Sequence, residues 1–118
     1  MTRTEARRLV AEARSQGGFT YDLRTKAAVQ AGYAFSENPE HEEKSMHLDA
    51  RSLRCYVASH WEALHAPGAH FGAWHDGGVW YLDVTHVEED QTLALMLAYI
   101  NDQLAVYDLA TRRSLSVY

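Results

Sequence analysis

The sequence predicts an α+β protein with a mainly antiparallel sheet, built from two hairpins plus C-terminal strands, and three helices in the order α-β-β-α-β-β-α-β-β. Strand-like segments come in pairs, and a helical segment follows each of the first two pairs. The βαβ rhythm of a parallel sheet is missing. The 118 residues match a single domain over residues 1–118, and a chain of that size can bury a core without disulfides.

The first helix is predicted over residues 3–15. Thr2 and Glu5 have the spacing of a capping box, in which a hydroxyl and a carboxylate satisfy free amides at the helix start. Apolar residues recur at helical spacing along one side. They are Ala6, Leu9, Val10 and Ala13. Gly17-Gly18 is expected to end the helix.

Two strands and a loop are predicted next. Apolar and polar residues alternate over residues 19–24, which is typical of a strand, and residues 31–36 are predicted to be its partner. Residues 37–47 are polar and acidic and contain a proline, so they are predicted to form a mobile loop.

A second helix is predicted over residues 50–65, with Asp49 as its N-cap and Pro67-Gly68 after its end. Its apolar residues form a wide stripe of the kind that packs on a sheet. The stripe consists of Leu53, Tyr56, Val57, His60, Trp61 and Leu64.

The clearest hairpin joins residues 70–75 to residues 79–87 across Asp76-Gly77-Gly78, because glycines supply the positive φ angles that tight turns need. Alternation divides the side chains of the second strand between two faces. One face has Trp80, Leu82 and Val84, and the other has Tyr81, Asp83 and Thr85.

A third helix is predicted to follow the acidic residues 88–90 and to run to about residue 102. Its predicted core stripe consists of Leu93, Met96, Leu97 and Ile100. Leu95 and Tyr99 are predicted to point away from that stripe. Residues 105–109 and 114–118 are predicted to pair as the last two strands.

Charge is unevenly distributed along a chain whose formal net charge is −5. Residues 1–30 carry six basic and three acidic residues, and Arg3, Arg7 and Arg14 fall on one side of the first helix as a basic patch. The acidic balance elsewhere argues against nucleic acid as a partner, because phosphate binding needs an extended basic surface. A solvated helix face explains the patch more simply.

The cellular compartment is predicted from cysteine content and hydropathy. The only cysteine, Cys55, leaves no internal disulfide, which suits a reducing cytosol. No apolar run approaches the roughly 20 residues that span a bilayer. We therefore expect a cytoplasmic protein without a membrane partner.

Four histidines, His60, His65, His70 and His75, recur five residues apart. Two helical ligands share a face at a spacing of four, whereas a spacing of five separates them by about 140°. On a strand an odd spacing sends them to opposite faces. The spacing therefore predicts no metal site, and it leaves open only histidines that the fold brings together. We also expect no cofactor.

Recognised catalytic motifs are missing: there is no GxSxG and no phosphate-binding glycine loop. Cys55 falls on the side of the second helix opposite its apolar stripe, and no catalytic residue is assigned. Asp83 shares a strand face with Tyr81 and has the chemistry of an acid or base, although the sequence identifies no partner for it. A small enzyme or ligand-binding domain that uses Asp83, Tyr81, Tyr33 and a histidine in a sheet cleft is thus one functional hypothesis.

A surplus of aromatic and apolar side chains predicts a binding surface. Helices on one side of a sheet bury only one of its faces, so aromatics that alternate on both faces need a second cover. A protein partner, a second subunit or a ligand supplies that cover as readily as the third helix or the 37–47 loop. The predicted partner-binding residues are Tyr33, Trp74, His75, Tyr81, Asp83, Leu95 and Tyr99.

Three stretches carry a resemblance: residues 32–36 (GYAFS), residues 74–84 (WHDGGVWYLDV) and residues 101–109 (NDQLAVYDL). Together they resemble a family of small proteins encoded by actinobacteria, their phages and other mobile elements, in which GYxVS, pGxxxGxWxDxGxVYLDVS and NQxAVYDL segments recur. The resemblance covers about residues 18–110. Here Asp102 separates Asn101 from Gln103, and Thr85 stands in place of the serine. The family has no assigned reaction, so the resemblance implies no catalytic residue.

The resemblance and the aromatic surplus together lead to the first functional expectation. We expect a non-enzymatic accessory protein of a phage or mobile element that binds and modulates or inhibits another protein, such as a host regulatory or defence factor. A homodimer through the third helix or the sheet face is the expected assembly.

Overall fold

The computed structural model describes all 118 residues, which form four helices and eight strands. The helices are α1 (Arg3–Gln16), α2 (Ala50–Ser59), α3 (Trp61–Leu64) and α4 (Gln91–Ile100). The strands are β1 (Gly18–Asp22), β2 (Ala27–Ala28), β3 (Tyr33–Ser36), β4 (Glu43–Ser45), β5 (Ala69–Asp76), β6 (Val79–Glu88), β7 (Ala105–Asp108) and β8 (Arg113–Ser116). The predicted α+β class with a mainly antiparallel sheet is confirmed.

One sheet contains all eight strands, in the order β2-β1-β5-β6-β3-β7-β8, and β4 pairs with β6 beyond the end of β3. Strand β6 is central. One of its edges pairs with β5 along the hairpin, and the other edge is shared between β3 and β4. Ser36 lies opposite Thr85, and Glu43 lies opposite Leu82. The segment from residue 36 to residue 43 therefore leaves and rejoins the same strand.

All four helices pack on one face of the sheet. The larger core has sixteen buried residues from α1, α2, α3, β1, β5 and β6 and the segments beside them. A smaller core of four residues joins α4 to β3 and β7 through Phe35, Ala94, Ala98 and Val106. Phe35 is the register partner of His86, which shares a strand face with Leu82 and Val84 of the larger core. The opposite face of the sheet carries no helix.

Helix α1 and the β5–β6 hairpin follow the sequence closely. The Thr2 hydroxyl accepts from the Glu5 amide at 3.1 Å, and Gly17 ends the helix with φ 83°. The Glu5 carboxylate accepts from the Tyr21 hydroxyl instead of completing the capping box. Gly77 and Gly78 both have positive φ and form the tight two-residue turn between the paired residues Asp76 and Val79.

The prediction of a single second helix is wrong, because the chain breaks at His60 between α2 and α3. His60 has φ −118° and ψ 29°, outside the helical region. The break turns Trp61 away from the predicted apolar stripe and leaves its side chain 52% exposed. The remaining apolar positions, Leu53, Tyr56, Val57 and Leu64, are buried as predicted.

The predicted pairing of residues 19–24 with residues 31–36 is also wrong. Strand β1 pairs with β2 and β5, whereas β3 pairs with β6 and β7. A tight turn after Asp22, with Lys26 at φ 57°, lets the chain fold back at once as the two-residue β2. The predicted 37–47 loop contains a 3₁₀ turn at Pro39–His41 and strand β4.

Helix α4 is rotated relative to the prediction. Ala94 and Ala98 are its fully buried residues. Three residues of the predicted stripe, Leu93, Met96 and Ile100, are exposed, whereas the fourth, Leu97, packs against the smaller core. The small side chains let the helix lie close to the sheet, which large residues at those positions would prevent. Leu95, predicted to point outward, packs against the smaller core instead. None of the four helices combines the length and the hydrophobicity that a membrane span needs.

Candidate functional site

The helix-free face of the sheet forms a concave cleft of about 1000 Å³. Its floor is made by alternate residues of β5, β6 and β3, and its far side by β7 and the turn that precedes β8. Three polar side chains from two neighbouring strands reach this floor: Ser36, Asp83 and Thr85. The strands bring them together because Ser36 lies opposite Thr85 in the register and Asp83 is two residues from Thr85 on the same face.

Asp83 is the only buried acidic residue of the cleft, and 4% of the residue is exposed. Its carboxylate accepts hydrogen bonds from the Thr85 hydroxyl and, at 3.4 Å, from the Trp74 indole N–H. No basic group forms an ion pair with it, since the ion pairs of the structure involve Asp22, Glu43 and Glu88. Burial raises the pKa of Asp83, and these two neutral donors partly oppose that shift.

Gly72 makes room for this carboxylate. It lies opposite Asp83 in the β5–β6 register. A Cβ atom at Gly72 would stand 2.0 Å from the Thr85 hydroxyl oxygen and 2.5 Å from an Asp83 carboxylate oxygen. Both distances are far inside van der Waals contact, so only glycine lets the carboxylate and hydroxyl lie over the β5 backbone.

Glu42 adds a second carboxyl group beside Asp83. Because Glu43 pairs with Leu82, the same register places Glu42 across from Asp83 on the cleft face. Glu42 also lines the cleft. Burial raises the pKa of Glu42, the neighbouring Asp83 raises it further, and the Lys44 charge partly opposes the shift. Like charges directly opposite one another in a sheet are destabilising, so the fold tolerates an electrostatic cost at this point.

Two buried polar atoms near the floor have no hydrogen-bond partner within the protein: the Ser36 hydroxyl oxygen and His70 Nδ1. Ser36 lines the cleft, and His70 lies opposite Thr85 on the β5 side. Ser36 has no base within hydrogen-bond reach that could activate it as a nucleophile. It can donate a hydrogen bond to a ligand or accept one from it.

Aromatic side chains stand on both sides of the polar floor. Trp74 on β5 is 41% exposed, and Tyr107 on β7 is 40% exposed. The Trp74 ring is stacked on Tyr81 at a centroid distance of 4.2 Å, and the Lys44 ammonium lies 5.6 Å from the Tyr81 ring. Stacking fixes the orientation of Trp74. The cleft therefore has aromatic walls and a polar, acidic floor.

The charges around the cleft are mostly negative. Its acidic lining residues are Glu12, Glu42, Asp76, Asp83 and Asp102. Arg112 is the one lysine or arginine among its lining residues. The electrostatic potential of such a concave, acidic surface favours cations and opposes anions.

The structure brings some of the predicted partner-binding residues together. Trp74, His75 and Asp83 line the cleft, and Tyr81 supports Trp74. Tyr33 and Leu95 lie on the helical face against the smaller core. Tyr99 is exposed on α4, with its ring 5.7 Å from Tyr118.

Five residues that form the cleft are not among the residues predicted from the sequence: Ser36, Glu42, Gly72, Thr85 and Tyr107. The alternation of Thr85 with Asp83 was a visible signal for the β6 contribution. The register that brings Ser36 and Glu42 to the same strand joins distant segments, and no local pattern reports it.

The four regularly spaced histidines do not converge on a common centre, although the fold brings the rings of His41 and His60 to a centroid distance of 5.5 Å. His60 Nε2 donates to the Glu43 carboxylate at 2.8 Å, and its ring packs on Tyr56. The His65 ring packs on Trp61, and the exposed His75 lies beside Trp80. No three side chains of the histidine, cysteine, aspartate and glutamate types are close enough to share a metal ion.

The structure places the three arginines of the predicted basic patch in two different environments. The Arg14 guanidinium donates to the Leu48 carbonyl at 3.0 Å and so ties α1 to the segment before α2. Arg3 and Arg7 line a separate shallow hollow between α1 and α2. Arg51 and Arg54 of α2 complete that hollow.

Comparison of the chain with family models, curated proteins and solved structures found no match. What the cleft does therefore has to follow from its shape, charge and hydrogen bonding.

Proposed function

We propose that the protein binds a small organic cation with a flat apolar part in the sheet cleft. The observation that carries this proposal is Asp83, which is buried, with 4% of the residue exposed, and which forms no ion pair with a basic side chain. Without a partner the ionised carboxylate is disfavoured, which is why burial raises the pKa of Asp83, and a cation beside it would restore the ionised form. A ligand with a cationic nitrogen would supply the missing partner.

The hydrogen bonding of Asp83 leaves room for such a ligand. A carboxylate can accept about four hydrogen bonds. The protein supplies only two donors to Asp83, the Thr85 hydroxyl and the Trp74 indole N–H, so acceptor positions remain for a ligand. The nearest carboxyl across the sheet, Glu42, increases the negative charge instead of balancing it. A cationic nitrogen near both groups would offset their repulsion, and the free Ser36 hydroxyl could accept from it.

The shape of the cleft indicates a compound with a flat apolar part. Ligand sites usually measure about 300 to 1000 Å³ and combine apolar walls with a few placed polar groups. Trp74 and Tyr107 provide exposed aromatic surface on either side of the floor. Aromatic faces stack on planar groups and attract cations, which adds about 0.5 to 2 kcal/mol at each contact.

Benzamidine tests the proposal because it joins a planar amidinium to an aromatic ring. Benzamide and benzoate are matched neutral and anionic compounds. Isothermal titration calorimetry and the NMR shift of the Trp74 indole N–H should show benzamidine binding at least about tenfold more tightly than the other two, equivalent to about 1.4 kcal/mol. Affinity should rise with pH, because a cation binds the ionised form of Asp83, whose pKa is raised by burial.

Two variants make this test specific to the cleft. Asp83→Asn keeps the side-chain shape and should abolish benzamidine binding, whereas Glu62→Gln on the exposed surface of α3 should leave it unchanged. Circular dichroism checks that both variants fold. Equal affinity for all three compounds, tighter binding of benzoate, or unchanged binding by folded Asp83→Asn would each show the proposal to be wrong.

A second candidate function, association with another protein molecule, is favoured by an apolar surface on α4. We call the exposed residues Leu93, Met96, Tyr99 and Ile100 the α4 face. Helix α4 contains no charged residue. Two copies of a chain with net charge −5 repel one another over most of their surfaces. The uncharged α4 face is where a second copy can approach, so we propose an isologous dimer through it.

Light scattering after size-exclusion chromatography, over a range of protein concentrations, tests the dimer. The wild type should dimerise, and Met96→Lys should be monomeric because it would bury two unpaired charges at the two-fold axis. Ala11→Lys places the same charge on the exposed side of α1 and should not alter the dimer. A wild-type protein that is monomeric at all concentrations would exclude a second copy as the occupant.

A further inference from the structure

A second concave site lies on the outer surface of α1 and α2, away from the cleft residues. It is a shallow hollow of about 740 Å³, and four of its lining residues are arginines: Arg3, Arg7, Arg51 and Arg54. We call these four residues the arginine hollow. It holds more than a third of the eleven basic residues of a chain that carries sixteen acidic ones.

None of the four guanidinium groups has a carboxylate within ion-pair distance. The ion pairs of the structure are Arg24–Asp22, His60–Glu43 and His86–Glu88. Arg54 donates through Nε to the Met1 carbonyl at 3.3 Å, which holds its side chain against the start of α1. Four positive charges without an ion pair share one hollow and repel one another, and an anion placed among them would reduce that repulsion.

Asp49 is the one acidic residue of the hollow, and it is already engaged. Its carboxylate accepts from the Ser52 amide at 2.7 Å as the N-cap of α2. This backbone hydrogen bond holds the pKa of Asp49 below its usual range, with a smaller contribution from the Arg51 charge. Thr2 and Asp49 cap the first amides of α1 and α2, so the arginine side chains, and not the helix ends, provide the positive charge.

We infer that the arginine hollow binds a diphosphate group. Guanidinium groups hold phosphate oxygens through paired N–H donors, and four of them match the several charged oxygens of a diphosphate better than those of a single carboxylate. The Trp61 side chain is 52% exposed at the edge of the hollow. The His65 ring packs on one side of the indole, and the exposed remainder offers a surface on which a base attached to the diphosphate could stack. The inference is independent of the function proposed for the cleft.

Calorimetry with inorganic pyrophosphate, ADP and adenosine, without added metal, tests the inference. Pyrophosphate and ADP should bind and adenosine should not. Affinity should fall as sodium chloride rises from 50 to 200 mM, by about tenfold or more. If ADP binds more tightly than pyrophosphate and Trp61→Ala removes the difference, the ligand is a nucleoside diphosphate. Equal affinities indicate that the diphosphate alone is recognised.

Arginine variants locate the binding. Arg7→Gln and Arg54→Gln should each weaken pyrophosphate binding about tenfold, as expected for one charged hydrogen bond. Arg24→Gln removes an arginine that already pairs with Asp22 and should change nothing. The inference is overturned if pyrophosphate fails to bind the folded wild type, or if Arg24→Gln weakens binding as much as Arg7→Gln does.

Discussion

At the scale of single residues, Gly72 affects both the packing of the sheet and the shape of the cleft. A Cβ atom at this position would occupy the space taken by the Thr85 hydroxyl and the Asp83 carboxylate. Gly72→Ala should therefore lower the free energy of unfolding by about 1 to 3 kcal/mol, as overpacking does. Chemical denaturation measures this change.

Gly72→Ala in a Thr85→Ala background tests whether the loss of stability comes from the clash with Thr85 or from replacing a glycine in a strand. Removing the Thr85 hydroxyl eliminates the shortest of the contacts, which is 2.0 Å. The cost of Gly72→Ala should then be smaller than in the wild type, and the double-mutant cycle gives the coupling. Equal costs in the two backgrounds would contradict the steric explanation.

Asp83 should make stability depend on pH in a defined direction. Burial raises its folded-state pKa above the ordinary value of 3.8, so the folded protein holds this proton more tightly than the unfolded chain does. The stabilising contribution is complete below about pH 3.8 and is lost as pH rises through the folded-state pKa. The free energy of unfolding of Asp83→Asn, relative to the wild type, should therefore increase with pH over this window.

Denaturation curves of both proteins at several pH values measure this trend, and Asp49 is the matched control. Its folded-state pKa is lowered by the Ser52 backbone hydrogen bond, so its contribution is present above pH 3.8 and lost as pH falls. Asp49→Asn should remove a dependence of the opposite sign. A flat difference between Asp83→Asn and the wild type would show that Asp83 is not desolvated.

At the scale of elements, the sequence predicted the class, helix α1 and the β5–β6 hairpin, because local signals decide all three. Gly17 ends the helix and Gly77-Gly78 makes the turn without help from the rest of the fold. The pairing of β3 with β6 and β7 joins distant segments, and the two-residue β2 is too short for any periodicity to be visible.

Part of the candidate site was predictable for the same reason. Asp83 stood out from the alternation along β6, and Trp74 from the surplus of aromatic residues. Glu42 and Ser36 reach the cleft only because β4 and β3 share one edge of β6. Their sequence neighbours are polar in any case, so nothing marked them as residues of a shared site.

Helix α4 shows why hydrophobic periodicity chose the wrong face. Large apolar residues occur on every side of it, and the face that contacts the sheet is chosen by Ala94 and Ala98, which permit a close approach. Ala98→Leu should therefore cost about 1 to 3 kcal/mol of unfolding free energy through overpacking. Thr92→Leu, an enlargement on the exposed side, should cost less than about 0.5 kcal/mol.

Thermal or chemical denaturation of the two α4 variants, at a concentration where the protein is monomeric, measures the difference. If Thr92→Leu lowered the free energy of unfolding and Ala98→Leu did not, the helix would contact the sheet through the side that the periodicity predicted.

At the scale of the whole molecule, the two cores are unequal. The larger core has sixteen buried residues, whereas the smaller one holds α4 to β3 and β7 with four. Strand β7 is joined to the rest of the sheet through only two register pairs with β3. The unit of α4, β7 and β8 should therefore open at a lower free energy than the β1–β5–β6 part of the sheet.

Native-state hydrogen exchange measures this difference, and two matched core substitutions test its origin. Val106→Ala removes two methyl groups from the smaller core, where Val106 is 1% exposed. It should reduce amide protection in α4, β7 and β8 and leave that of β5 unchanged. Leu53→Ala, in the larger core, should reduce protection throughout, because the smaller core cannot persist without β6 and β3. If Val106→Ala reduced amide protection in β5 as much as in β7, the molecule would open as one unit.

Since Tyr107 and Arg112 of the weaker unit line the cleft, a ligand bound there should raise the protection of β7 more than that of β5.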